Sequence, residues 1–171
     1  MGRFVVVLPV DGLAAGDAFP VAEWPLHVTL VEPFATRLPS AELAGLVGGA
    51  VGDAPAVETT AGDRAGFGRR GDVPVTLVHD DGALLAIRRR VLAALRDADV
   101  DVARARLEYR PHVTAKPHGE IAPGAELRFG QVALIDMHPH GGAGMRAVVA
   151  AWPLGRVDHD DDRPRPHAPT G

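Results

Sequence analysis

The chain contains no cysteine. That absence removes disulfide frameworks, thiolate metal sites and cysteine nucleophiles together. It is compatible with a reducing compartment, and a cytoplasmic location is the expectation. Long apolar runs are missing too. The N-terminal run Phe4 to Leu8 stops at Pro9, too short for a signal-peptide core or a membrane span, and no later stretch reaches spanning length. Basic excess is also lacking: the formal net charge is -4. Proteins that grip long nucleic acids through many phosphates carry the opposite balance, so a nucleic-acid ligand should be small or held in a local basic pocket. There is one lysine, Lys116, one serine, Ser40, and only 5% aromatic residues. No glycine-rich loop followed by lysine is present to cradle phosphates.

What remains is a chain of 171 residues, 46% hydrophobic, enough for one domain with a sizeable core. Strands are expected at Phe4–Leu8, Leu26–Val31, Ala56–Thr60, Ala65–Phe67, Val73–Val78, Arg110–Lys116, Leu127–Asp136 and Arg146–Trp152. Residues 10–25 read as a loop with a helical turn, and Pro33 and Pro39 bracket another loop. A helix is expected over Ala41–Val51, capped by Ser40 and weakened and ended by Gly48, Gly49 and Gly52. A second, Ala83–Asp97, follows an aspartate cap and carries Leu84, Ile87, Val91, Leu92 and Leu95 on one face. Arg88, Arg89 and Arg90 read as its solvated side. The order of elements predicts an α+β fold with no regular parallel alternation. Residues 1–157 form the expected single domain. Residues 158–171, with four Asp, two Arg and almost nothing apolar, read as a disordered tail.

The chemistry concentrates in one tripeptide that occurs twice: His27-Val28-Thr29 and His112-Val113-Thr114. Alternate strand residues share a face, so each copy presents an imidazole and a hydroxyl together, with the valine turned into the core. Imidazole can give or take a proton near neutral pH, and a neighbouring hydroxyl can donate to a phosphoryl oxygen. Two such units facing one another supply a base, an acid and two donors without a metal. On the same parity, Arg110 and Lys116 fall on the face of His112, where a cation would hold a phosphate; an exposed strand end is the alternative. Phe34, Trp24 and Tyr109 flank the motifs and could stack on a base or pack in the core. Arg69 and Arg70 fit a loop. His138-Pro139-His140 fits a surface turn, since no third ligand has metal-site spacing. His79, His118, His159 and His167 show no partner.

The segments Pro25-Leu26-His27-Val28-Thr29-Leu30-Val31-Glu32-Pro33-Phe34 and Tyr109-Arg110-Pro111-His112-Val113-Thr114-Ala115-Lys116 resemble the paired motifs of the 2H phosphoesterase superfamily, which includes 2′-5′ RNA ligase-like proteins and cyclic phosphodiesterases. The resemblance implies two pseudo-symmetric lobes of mainly antiparallel sheet with flanking helices around a central cleft. It also implies a metal-independent phosphodiesterase without cofactor, acting on 2′,3′-cyclic or 2′-5′-linked ribonucleotide esters, with 2′-5′ RNA ligation as the reverse direction. His27 and His112 would be its acid–base pair, and Thr29 and Thr114 would hold the phosphoryl oxygens. Arg110, Lys116 and Phe34 would meet the substrate. The expected partner is a ribonucleotide or short RNA bound to a monomer, with no membrane or protein partner. The alternative is a scaffold that binds a nucleotide without turning it over.

Overall fold

The first strand, β1 (Gly2–Pro9), is a β-branched apolar run, and Phe4 through Leu8 are almost completely buried, as expected of a strand covered on both faces. It lies inside a sheet of nine strands, all paired antiparallel, in the order β2-β9-β8-β1-β3-β6-β5-β4-β7. The other strands are β2 (Ala18–Pro20), β3 (His27–Thr36), β4 (Val57–Phe67), β5 (Val73–Val78), β6 (His112–Thr114), β7 (Glu126–Phe129), β8 (Gln131–Asp136) and β9 (Met145–Pro153). Two helices, α1 (Ser40–Val51) and α2 (Ala83–Asp97), accompany them. The computed structural model describes residues 1–155; the expected tail, 158–171, lies outside them.

β7 is the last strand of the sheet and β8 the third from the other end, yet only Gly130 separates them in sequence. The sheet therefore curls, bringing its far edge back towards its middle. The strand expected over Leu127–Asp136 is two strands for this reason, β7 pairing with β4 and β8 with β1 and β9. Both helices pack on one face. Leu43, Val47 and Val51 of α1 and Leu84, Ile87, Val91, Leu92 and Leu95 of α2 join Val28, Leu30 and Val113 in the main core. A smaller cluster of Val5, Val7, Trp24, Ala133, Ile135, Met137 and Val148 fills the opposite face.

Other expectations change in detail. β3 does not stop before Pro33. Its register with β1 takes up two extra residues, one between Val31 and Phe34 and one between Thr29 and Val31. A bulge needs no ladder N–H at its extra residue, and proline has none to give, so the strand passes through Pro33. The strands expected over Ala56–Thr60 and Ala65–Phe67 are likewise one long β4, with a bulge at Gly62-Asp63. Ser40 is the first helical residue, with Pro39 at the cap and no side-chain cap bond. Asp80 caps α2, its carboxylate accepting from the N–H groups of Gly82, Leu84 and Leu85 at 2.9–3.0 Å. Among the helical arginines Arg89 and Arg90 are exposed, whereas Arg88 is 2% exposed and belongs to the interior.

Candidate functional site

β3 and β6 are neighbours, joined through the pair Val28↔Val113. Both valines are buried in the core under the helices. Continuing that antiparallel register sets His27 across from Thr114 and Thr29 across from His112, all four on the face away from the helices. The two imidazoles stand on a diagonal, a spacing of roughly 7–8 Å between backbones. The tripeptide expected in a long strand Arg110–Lys116 is the whole of β6, because Pro111 and Pro117 bound it.

The two histidines are held in the same way. Nδ1 of His27 donates to the Pro25 carbonyl at 2.7 Å, and Nδ1 of His112 donates to the Arg110 carbonyl at 2.7 Å. A carbonyl only accepts, so Nδ1 carries the hydrogen and Nε2 of each ring is left for proton chemistry. Each ring also rests on an aromatic that carries a cation. Trp24 stacks on His27 with centroids 4.2 Å apart, and Lys116 Nζ lies 5.3 Å from the Trp24 ring. Phe67 meets His112 edge-on at 4.4 Å, and the Arg110 guanidinium lies 5.0 Å from the Phe67 ring. Burial pushes the His27 imidazole down to about 4, opposed by its bond to Pro25 and reinforced by Lys116 and His112. Burial also lowers His112; the bond to Arg110 opposes this, the Arg106 and Arg110 charges add to it, and Glu32 opposes it.

A cleft of about 250 Å³ opens beside His112 and Thr29, walled by Phe67, Tyr109, Arg106, Arg110 and Glu32. His27 and Thr114 stand across the strand pair from it. Arg110 and Lys116 lie outside the regular strand, one beside each imidazole. Phe34 does not line the cleft beside His112: it is 5% exposed and packs in the core 6.3 Å from the Phe4 ring. His138-Pro139-His140 occupies a surface turn, and among the described residues no three His, Cys, Asp or Glu side chains are grouped to hold a metal ion. His118, read as partnerless, donates from Nε2 to the Trp24 carbonyl at 3.0 Å and so ties the two motif flanks together.

The sequence reading missed Phe67 and the arginine behind the site. Arg88 reaches from α2 to the Leu30 carbonyl at 2.6 Å and forms a two-pronged pair with Glu32 at 2.9 and 3.2 Å. It also donates to the Arg106 carbonyl at 3.0 Å and lies 4.6 Å from the Tyr109 ring. The Tyr109 hydroxyl in turn donates to the Thr29 carbonyl at 3.1 Å. One buried guanidinium thus fixes the bulge of β3, a wall of the cleft and, through Tyr109, the backbone of the first motif. The only signal in sequence was the placement of Arg88 next to Ile87 at the margin of the apolar stripe.

A curled antiparallel sheet that sets two His-Val-Thr strands against each other, backed by two helices, defines the two-histidine phosphoesterase class. Solved structures share the fold. One described as a phosphoesterase is 17% identical, with a TM-score of 0.63 over 91% of this chain and all of that one. Escherichia coli LigT, solved with 3′-AMP, is 17% identical with a TM-score of 0.60, covering 90% of this chain and 98% of LigT. The Thermus thermophilus protein TT0787 is 15% identical with a TM-score of 0.62, covering 89% of this chain and 97% of its own. No curated protein matches the sequence significantly. The sequence model of the 2′-5′ RNA ligase superfamily matches residues 9–128, which contain both tripeptides, and the chain belongs to that superfamily.

Proposed function

We propose that the protein is a metal-independent phosphodiesterase acting on 2′,3′-cyclic or 2′-5′-linked ribonucleotide esters in the cytoplasm, with His27 and His112 as its acid–base pair. The observation that carries this reading is the matched anchoring of the two imidazoles, each Nδ1 donating to the carbonyl two residues earlier and each Nε2 left free. The superfamily match and the bound 3′-AMP of the LigT structure support a ribonucleotide as the ligand. The reading also treats the molecule as two related halves, each supplying one motif strand to a shared cleft.

For a 2′,3′-cyclic phosphate, a water oxygen attacks phosphorus while its proton passes to Nε2 of one neutral imidazole. The phosphorus bond to one ribose oxygen breaks, and that oxygen takes the proton from Nε2 of the other, protonated imidazole. The histidines end with their protonation exchanged, and solvent restores them. Thr29 and Thr114 donate to the non-bridging oxygens. Arg110 and Lys116 balance the charge that gathers there. In ligation a ribose 5′-hydroxyl takes the place of water: its oxygen attacks the cyclic phosphate and gives its proton to one imidazole, while the phosphorus bond to the 3′-oxygen breaks and that oxygen takes the proton of the other, leaving a 2′-5′ linkage.

The test is turnover of a panel of 2′,3′-cyclic and 2′-5′-linked nucleotides, with excess chelator present. Wild-type activity should persist in chelator, and His27→Ala and His112→Ala should each cost roughly 10²- to 10⁴-fold in rate while staying folded. Activity lost in chelator and restored by a divalent ion, or a folded His→Ala variant keeping more than about a tenth of the rate, overturns the two-histidine mechanism. Binding without turnover leaves a nucleotide-binding module.

A further inference from the structure

The chain is acidic overall, yet its site face gathers cations. Arg110 and Lys116 flank the histidines, Arg106 walls the cleft, and Arg146 lies 5.2 Å from the Trp24 ring. Arg3 belongs to this group by strand parity: Val7 pairs with Thr29, and Arg3 follows Val5 and Val7 on the same face of β1. Among the described residues, the ion pairs engage Arg64, Arg88, Arg90 and Arg128, and none of the site-face cations. These cations also act on one another. Lys116 is lowered by burial and then by Arg146, and Arg146 by burial and then by Arg3. Arg146 is buried and held by the carbonyls of Met137, Ala143 and Met145, so it acts on the site through its charge alone. Arg3, Arg106, Arg110 and Lys116 have no carboxylate partner among these ion pairs, and a bound anion would relieve their mutual repulsion.

A second cleft, about 330 Å³, adjoins the first and shares Pro33 with it. Its walls carry Arg3 and Arg104, beside the largely buried Phe34. Its one carboxylate, Asp101, turns back to accept from the Ala103 N–H at 2.9 Å. Arg3 stands four residues along β1 from the partner of Thr29, about 13 Å at the strand rise of about 3.3 Å per residue. That is too far for Arg3 to touch the phosphate that lies between the two histidines.

We propose that this second cleft is a subsite for another phosphate of the same substrate, held by Arg3 and Arg104, so that the preferred substrate is a short oligoribonucleotide and not a mononucleotide. The proposal rests on the phosphodiesterase reading above and extends it. Pro33, placed in the bulge of β3, forms the ridge between the two clefts over which the strand of nucleotides passes.

The experiment compares a mononucleoside 2′,3′-cyclic phosphate with a tetranucleotide ending in the same group, for the wild type, Arg104→Gln and Arg3→Gln/Arg104→Gln. Arg128→Gln, on β7 and in the lining of neither cleft, serves as the control. The ratio of kcat/KM for tetranucleotide over mononucleotide should fall about tenfold or more in the double variant, the scale of one charged hydrogen bond, and remain at the wild-type value in the control. The slope of log kcat/KM against log salt for the tetranucleotide should shrink by about 0.7 for each phosphate that is no longer neutralised. An unchanged ratio, or a parallel fall for both substrates, overturns the subsite. If the wild type turns over neither substrate, the phosphodiesterase reading fails, and the subsite is decided by anisotropy of a labelled tetranucleotide 3′-phosphate. About tenfold weaker binding by the double variant supports it, and equal binding or none overturns it. Arg104 is exposed, so the single variant keeps the test open if Arg3→Gln disturbs β1.

Discussion

His27 and His112 are both held below the ordinary imidazole range, by burial first and by neighbouring cations second. For the proposed phosphodiesterase, this fixes the pH at which activity should be highest. The competent form carries one proton between the two rings, and it is most populated midway between the pair's two apparent values. Falling pH protonates the base, and rising pH strips the acid. With both values below 6.5, the optimum of kcat/KM for a phosphodiester that does not itself titrate should lie on the acid side of 6.5. Bound substrate brings a negative charge, which raises both values, so the limbs of kcat should sit higher than those of kcat/KM. A kcat/KM optimum at or above pH 7 contradicts the burial described here. At this scale the sequence was most legible where a pattern repeated: two identical tripeptides with strand parity place four side chains without coordinates. It was least legible for Arg88, Phe67 and Phe34. A run of three arginines hides which one turns inward, and an aromatic near a motif can face the site or the core according to a bulge that leaves no mark in sequence.

The helices show how one glycine differs from the next. Gly48 and Gly49 both read as weakening a helix expected to reach Val51, and α1 does run through them to Val51. A Cβ on Gly48 would lie 2.5 Å from Nε1 of Trp152, so the bare backbone there makes room for the indole. A Cβ on Gly49 would meet nothing within 4 Å. Gly49→Ala should therefore stabilise by up to about 1 kcal/mol through helix propensity. Gly48→Ala gains the same propensity but must displace Trp152, at a cost of about 1–3 kcal/mol. Stabilities from urea unfolding should separate the two variants by about 1–3 kcal/mol, with Gly49→Ala the more stable. The opposite order would mean that Trp152 moves aside freely. Both helices, the aspartate cap and most strands were readable because periodicity and caps are local. The bulges at Pro33 and Gly62 and the break at Gly130 were not, since each is settled by a partner strand far away in sequence.

Across the whole molecule, the strands fall into two sets of unequal continuity. β4, β5, β6 and β7 come from one stretch of chain, whereas β1, β2 and β3 come from the start and β8 and β9 from the end of the described residues. The expected α+β order anticipated the elements but not this division, because pairing between distant strands is not encoded in neighbouring residues. The hairpins β1–β3 and β8–β9 are each local, and the ladder β1–β8, with Val7 opposite Ala133, joins them alongside the short pairing of β2 with β9. Closing that ladder spans 126 residues, against six for the tip of β4–β5 at Phe67↔Val73, an entropic difference of roughly 3 kcal/mol. Assembly should therefore finish where the two ends of the fold meet. Val5, Val7, Ala133 and Ile135 of that ladder pack with Trp24, the ring on which His27 rests. The environment that keeps His27 neutral would thus be the last to form, and a refolding chain would hold the second motif strand in place before the first is buried. Pulsed hydrogen exchange during refolding should protect β4–β5 amides before those of β1–β8. Simultaneous protection of both ladders would show that the sheet closes in one step.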